Sequence, residues 1–362
     1  MDEIRFEGRV AVVTGGGRGL GREYALFLFE GRVAVVTGGG RGLGREYALF
    51  LAARGATVVV NDAGTGTDGR GASPSPARAV AEEIRSRGGD AVADAHDITT
   101  AAGARALTAA ALDARGRLDV LVNNAGISIL RPLGEISDEE CRRVLDTHVG
   151  GTLNMLRAAW PHMVAAGYGR IVNTCSDALF GDTGLSAYAA GKGAVLGLTT
   201  SLAAEGAPHG IRVNAVVPIA ATRMSLEALR GDAPMTALLT DAFPARHAAS
   251  VVALLAHESV PCTGQLLHAA GRRVGRIFLG ATEGVVWKED HTPESVRDHL
   301  AAVRSTDAFR TPDSVGASMA FSLARLGVGG TEPLALDLTP PAAPPAATPA
   351  PGNEEPSATV EV

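Results

Sequence analysis

Five apolar or β-branched residues, Val33-Ala34-Val35-Val36-Thr37, run into Gly38-Gly39-Gly40-Arg41-Gly42-Leu43-Gly44 and then into Arg45-Glu46-Tyr47-Ala48-Leu49-Phe50-Leu51. A strand that ends in a glycine turn and restarts as a helix admits few folds. The glycines let backbone come close to a ligand, and the helix start points unpaired N–H groups at it, which makes a seat for a phosphate. The strict G-x-G-x-x-G spacing fails, since a count from Gly42 puts Tyr47 last. The spacing present is T-G-x-x-x-G-x-G, with Thr37, Gly38, Gly42 and Gly44. The next β-branched run, Thr57–Asn61, leads to Asp62, 18 residues after Gly44, where a carboxylate would meet an adenosine ribose.

The same unit is written twice. The 23 residues 6–28 recur without a change at 29–51. Only the second copy is followed by a further strand and an acid, so one nucleotide is expected, on copy two. The first strand of such a fold lies in mid-sheet, and two identical strands compete for that place. Residues 1–28 are therefore expected to be a duplicated segment outside the core, poorly ordered, aggregation-prone or docked elsewhere.

Beyond the turn, short β-branched runs alternate with longer helical stretches. Strands are expected at Val33–Thr37, Thr57–Asn61, 91–96, 118–123, 170–174, 212–217 and 265–269. Helices are expected at 45–54, 76–87, Ala101–Arg115, 138–166 and 186–207. This alternation argues for an α/β fold, a doubly wound Rossmann-like sheet of about seven parallel strands with helices on both faces. Runs such as VAVVT and DVLVN are apolar without alternation, as strands covered on both sides should be. The domain is expected at 29–271. A C-terminal extension follows at 272–338, with a strand at 274–279 and a helix after Thr292-Pro293-Glu294. The Pro/Ala-rich stretch 339–362 is expected to be a disordered tail.

Several function classes are disfavoured. A formal charge of −6 gives no basic footprint for nucleic acid. Cys141, Cys175 and Cys262 lie far apart, with neither metal-ligand nor disulfide spacing, which suggests a reducing compartment and no metal. The N-terminus lacks the apolar core of a signal peptide, and no run approaches the roughly 18 apolar residues of a membrane helix. A cytoplasmic protein that binds neither membrane nor nucleic acid is expected.

The chemistry gathers in the second half. Tyr188 and Lys192 stand four apart in SAYAAGKGAVLGL and share a helix face. A phenol ionises near pH 10, and an ammonium beside one favours the ionised form, so such a pair can work as an acid or base. The strand RIVNT leads into Cys175-Ser176, at the strand end where open α/β sheets place ligands. Asn123-Asn124-Ala125-Gly126 follows another strand end.

Together these residues resemble the short-chain dehydrogenase/reductase family over roughly residues 29–271. Thr37, Gly38, Gly42 and Gly44 match its cofactor turn, with Arg41 and Leu43 between them. Asp97-Ile98 matches its adenine contact, Asn124-Ala125-Gly126 the segment supporting the central strand, and Ser176, Tyr188 and Lys192 its catalytic set. The resemblance implies that Lys192 binds the nicotinamide ribose. Tyr188 would exchange a proton with the substrate oxygen, and Ser176 would hold that oxygen. It also implies a homodimer or homotetramer packed through 138–166 and 186–207.

Three departures stand out. Ser176 lies 12 residues before Tyr188, where the family usually has one more, so strict counting would choose Cys175. Ser176 is preferred because it follows the strand as the family serine does, and a thiol is a weak donor. His148 stands where the family often has an asparagine for proton relay; an imidazole can carry protons, or simply pack. The usual Pro-Gly after the sixth strand is Pro218-Ile219. The last two departures are shared with the dehydrogenase part of peroxisomal multifunctional enzyme type 2, whose members oxidise 3-hydroxyacyl-CoA thioesters with NAD. That group's hydratase and sterol-carrier parts have no counterpart in this sequence.

NAD is expected rather than NADP, since Asp62 would repel a 2′-phosphate, although Arg41 could pair with one. The substrate is expected to be a small molecule with an apolar body, lined by Leu179, Phe180, Met224, Leu226, Leu229, Met235 and Leu238. No arginine cluster for a CoA phosphate is visible in the sequence. The leading expectation is an oxidoreductase of a secondary alcohol or ketone, a 3-hydroxyacyl thioester among the candidates. The alternatives are a steroid-like or other bulky ketone, or a non-catalytic NAD-binding sensor.

Overall fold

The central strands of the sheet form where β-branched, apolar runs are buried on both faces. In a computed structural model, residues 29–229, 231–328 and 332–334 are described; the expectations for 1–28 and for the 339–362 tail lie outside them. The sheet is built from β1 (Val33–Thr37), β2 (Thr57–Asn61), β3 (Asp90–Asp94), β4 (Val120–Asn123), β5 (Gly169–Thr174), β6 (Ile211–Ile219), β7 (Leu266–Ala270) and β8 (Arg273–Ile277). Their spatial order is β3-β2-β1-β4-β5-β6-β7-β8. Seven strands are parallel, and β8 adds antiparallel to β7 through a tight hairpin. The count thus exceeds the expected seven by one, because the strand foreseen in the C-terminal segment joins the sheet.

The helices that cover it are α1 (Gly42–Ala52), α2 (Ser75–Ser86), α3 (Ala101–Arg115), α4 (Asp138–Leu145), α5 (Thr152–Ala166), α6 (Ser186–Gly206), α7 (Arg223–Ala228), α8 (Ala233–Ala242) and α9 (Arg246–Ala256). The two-residue period of a strand sorts side chains between the faces. Ala34, Val36, Val58 and Val60 join one core with α1, α2 and α9, while Val33, Val35 and Val59 join another with α3 and α5. All five residues of β1 and all five of β2 are buried.

The described residues fall into two compact units, one reaching Leu279 and one starting at Gly280. The second contains a two-stranded antiparallel ladder of β9 (Ala281–Thr282) and β10 (Phe309–Arg310). Its helices are α10 (Pro293–Asp298), α11 (Leu300–Val303) and α12 (Val315–Arg325). The helix expected after Thr292 is α10, started by a capping box between Thr292 and Ser295.

One expected helix, 138–166, is not continuous. Between α4 and α5 the chain widens into a π-helical turn, Asp146–Gly151. Gly151 permits it: a Cβ there would come within 2.9 Å of Ile98 Cδ1. The wider turn carries His148 into the interior, and such bulges recur at functional sites.

Candidate active site

The strand order reverses between β1 and β4, and a cleft of about 780 Å³ opens above that point at the carboxyl ends of the strands. Its floor is the glycine turn. Gly38 and Gly42 take φ of +62° and +52°, which only glycine adopts without strain. A Cβ on Gly44 would lie 2.1 Å from the Gly38 carbonyl oxygen, and one on Gly40 would strike Pro76 and Asp62. The turn is therefore held tight against α1, with its open side toward the cleft. Thr37 and Asn124 brace it from behind. Thr37 Oγ1 accepts from the N–H groups of Asn124 (3.0 Å) and Ala125 (3.1 Å), and Asn124 Nδ2 donates to the Thr37 carbonyl at 2.9 Å. A diphosphate suits this cradle, with backbone able to approach its oxygens.

Asp62 follows β2 directly and borders the cleft. Its carboxylate accepts from the Gly40 N–H (3.1 Å), the Gly64 N–H (2.8 Å) and Arg41 Nη2 (2.9 Å). Arg41 also donates to the Thr65 carbonyl at 2.9 Å. Asp97 and Ile98 follow β3, where Asn154 Nδ2 of α5 donates to the Ile98 carbonyl at 3.0 Å and holds that loop in place.

At the other end, β5 delivers Cys175 and Ser176. The two point in different directions. Cys175 is buried, donates its thiol to the Lys192 carbonyl at 3.4 Å and packs on Val195, Ala215 and Val217. Burial also pushes the thiol up from its ordinary value. Ser176 is half-buried on the cleft wall. Its Oγ accepts from the Ala178 N–H at 3.2 Å, capping a short 3₁₀ turn, Asp177–Phe180, and its own proton remains available to donate.

Tyr188 and Lys192 rise on the first two turns of α6. Lys192 is 4% exposed, yet its Nζ donates to the Thr174 carbonyl at 2.7 Å and lies 5.5 Å from the centre of the Tyr188 ring. His148 meets the edge of that ring, with centroids 5.0 Å apart. His148 Nε2 is 2.8 Å from the Ile127 carbonyl oxygen and 3.3 Å from the Ile127 nitrogen. The shorter contact puts the hydrogen on Nε2. Burial first, and the Lys192 charge second, push the imidazole down to about 3, so it is neutral at physiological pH. Gly126 has no room for a side chain, because a Cβ would come within 2.5 Å of His148 Cε1.

Every expected site residue borders this one cleft: Gly38, Arg41, Gly42, Leu43, Gly44, Asp62, Asp97, Ile98, Asn124, Ala125, Gly126, His148, Ser176, Tyr188, Lys192 and Pro218. The expected substrate wall fares differently. Met224 borders the cleft, joined by Ile219, Ala220 and Leu239. Leu179 packs instead on the cluster around Cys175, Phe180 and Leu238 are exposed, and Leu226, Leu229 and Met235 do not border it.

The sequence reading missed a strap. Residues 63–73 leave β2 and return to α2 as a closed loop, pinned by the Ser73 N–H donating to the Ala63 carbonyl at 2.9 Å. Its tip reaches across the cleft. The Thr67 carbonyl accepts from the Ser128 N–H at 2.9 Å, and Thr67 Oγ1 donates to Glu227 of α7 at 2.6 Å. The run GTGTDGRG, long for a strand-to-helix connection, was the available signal. Also missed were Arg142, Arg143 and Arg223, which border the same cleft from α4 and α7.

The profile of the short chain dehydrogenase family matches residues 32–231. Peroxisomal multifunctional enzyme type 2 of Mus musculus is 37% identical over 300 residues, covering 82% of this chain; the chain spans only 36% of that relative's length. A hydroxyacyl-CoA dehydrogenase of Mycobacterium tuberculosis is 34% identical over 328 residues, covering 85% of this chain and 93% of its own. The crystal structure of a short chain dehydrogenase from Mycobacterium avium superposes with a TM-score of 0.66 at 34% identity, covering 77% of this chain and 97% of that one. Glycine cradle, Tyr–Lys pair and profile agree: this chain belongs to the short-chain dehydrogenase/reductase family of oxidoreductases and resembles the dehydrogenase part of peroxisomal multifunctional enzyme type 2.

Proposed function

We propose that the protein is an NAD-dependent dehydrogenase of secondary alcohols whose substrate is a 3-hydroxyacyl thioester. The observation that carries this reading is the convergence of Ser176, Tyr188 and Lys192 on one end of a cleft whose other end is a phosphate cradle. The name of one relative, a hydroxyacyl-CoA dehydrogenase, favours a hydroxyacyl-CoA substrate over a bulky ketone. NAD, when bound, supplies the hydride acceptor. Gly38–Gly44 would hold its diphosphate, Asp62 its adenosine ribose and Lys192 its nicotinamide ribose.

The chain's own residues handle the proton and the orientation. Ser176 donates its free proton to the substrate oxygen and fixes it toward Tyr188. Tyr188 Oη takes the hydroxyl proton in oxidation and returns it in reduction. Lys192, held by the Thr174 carbonyl, keeps a positive charge beside the ring. His148, neutral and enclosed, sets the wall behind Tyr188; any proton it passed would move by exchange between its nitrogens rather than by charging the ring. Asp62, facing the ribose, disfavours a 2′-phosphate. A dimer or tetramer packed through α5 and α6 belongs to the same reading, and sedimentation velocity checks it.

The test is direct. Purified protein should reduce NAD in the presence of 3-hydroxyacyl-CoA, followed by NADH absorbance. Tyr188→Phe should lower turnover by about 10²–10⁴-fold while NADH still binds. Unchanged turnover in that variant would refute the assignment of Tyr188. Turnover of a bulky ketone but of no thioester would select the runner-up substrate.

A further inference from the structure

α4 presents to the cleft a cation whose one ion-pair partner among the described residues is an exposed acid. The side chain of Arg143 is 18% exposed, and its only carboxylate neighbour among the described residues is Glu139, at 3.5 Å. Glu139 is itself 72% exposed and is shared with Arg70 at the same distance. The Arg143 Nε is buried and has no hydrogen-bond partner among the described residues. The strap closes onto its stem: Gly69 sits at φ +83°, and a Cβ there would lie 3.2 Å from Arg143 Cδ.

Burying a guanidinium with so little compensation is unfavourable, and a structural role would call for a nearby carboxylate. Asp97 and Asp146 also border the cleft, but neither forms an ion pair with Arg143 among the described residues, and the remaining acids are engaged elsewhere. Asp62 accepts from Arg41, and Asp177 lies 3.2 Å from His268, whose other ring nitrogen accepts from Arg273. Arg142 and Arg223 border the same cleft, and neither has an ion pair among the described residues. A planar fork with free donors, bordering the same cleft as the glycine cradle, suits a phosphate oxygen.

We propose that Arg143, supported by Arg142 and Arg223, binds a phosphate group lying in the cleft. The phosphate belongs either to the dinucleotide cofactor or to the coenzyme A portion of the substrate. The second source rests on the thioester reading above; the first does not.

The experiment compares wild type with Arg143→Met and Arg143→Lys. Dissociation constants are measured for NADH by fluorescence quenching, and for coenzyme A and phosphate-free pantetheine by calorimetry. If the phosphate is the cofactor's, Arg143→Met raises the NADH dissociation constant about tenfold or more. If it is the thioester's, the variant weakens coenzyme A about tenfold or more and leaves pantetheine unchanged. Arg143→Lys keeps the charge but not the fork and should fall between. The melting temperature of Arg143→Met should hold or rise, because a poorly compensated buried charge has gone. A lower melting temperature with all three dissociation constants unchanged marks Arg143 as structural and overturns the proposal. Should wild type bind no coenzyme A, the thioester reading fails on its own, and the NADH measurement alone decides for or against Arg143.

Discussion

Replacing His148 by asparagine should flatten the acid side of the stability curve. The imidazole is held near 3 in the folded chain, against about 6.5 for an exposed histidine. The sign follows from proton counting. A histidine kept neutral by burial binds fewer protons folded than unfolded, so its share of stability is complete above about pH 6.5 and is lost as pH falls toward 3. At pH 5 the loss is 1.5 pH units at 1.36 kcal/mol each, about 2 kcal/mol. For a domain of this size that corresponds to a fall in melting temperature of about 4–8 °C.

Buried and hydrogen-bonded carboxylates such as Asp119 act lower in pH and act equally in both proteins. The difference between wild type and His148→Asn therefore isolates the imidazole. Urea unfolding at half-unit steps between about pH 7.5 and about pH 4.5 measures it. Wild type should lose about 2 kcal/mol by pH 5 relative to the variant's own change. Parallel curves would refute the reasoning, and so would an imidazole proton resonance of His148 that titrates near 6.

Asp62→Ala should release Arg41 and improve the use of NADP relative to NAD by about tenfold, the worth of one hydrogen bond to a charged group; kinetics with both cofactors check it, and no gain would remove the case for Asp62. Asp119→Ala should cost about 2–3 kcal/mol in denaturant unfolding, since it removes a buried acceptor shared by Arg117, Arg32 and the Val33 N–H at the base of the sheet and leaves Glu258 as the one carboxylate on Arg32 among the described residues. That carboxylate accepts from Arg117 at 2.6 and 2.7 Å, from Arg32 at 2.9 Å and from the Val33 N–H at 2.9 Å. Burial alone would raise Asp119, but these partners outweigh it and hold the carboxyl below the usual range. A loss under 1 kcal/mol, the scale of an exposed pair, would contradict this account.

The sheet was legible because its strands are local signals. β1 and β2 begin and end where the β-branched runs do, and α3 where its apolar period does. The break at Asp146–Gly151 was not legible, since a π-helical turn keeps nearly the same apolar spacing as the helix around it, and only contact with Ile98 and Ile127 decides it. The choice between Cys175 and Ser176 needed the strand's register, which turns one into the core and the other outward. Arg142 and Arg143 are adjacent but far in sequence from Arg223, and the three meet only because α4 and α7 both border the cleft. The substrate wall was misread for a related reason: leucines on short helices look alike whether they face a cavity or solvent.

β1 is hydrogen-bonded on both sides, to β2 and to β4, so the centre of the sheet has one berth and residues 33–37 fill it. Because the tandem units are letter-for-letter alike, excising 6–28 or 29–51 yields one and the same shortened polypeptide. Removal of a whole unit therefore cannot ask which copy matters; it can ask only whether having two matters. The shortened chain should melt at the temperature of the full one and bind NADH as tightly, and a marked loss of either would mean that the extra unit has a post of its own.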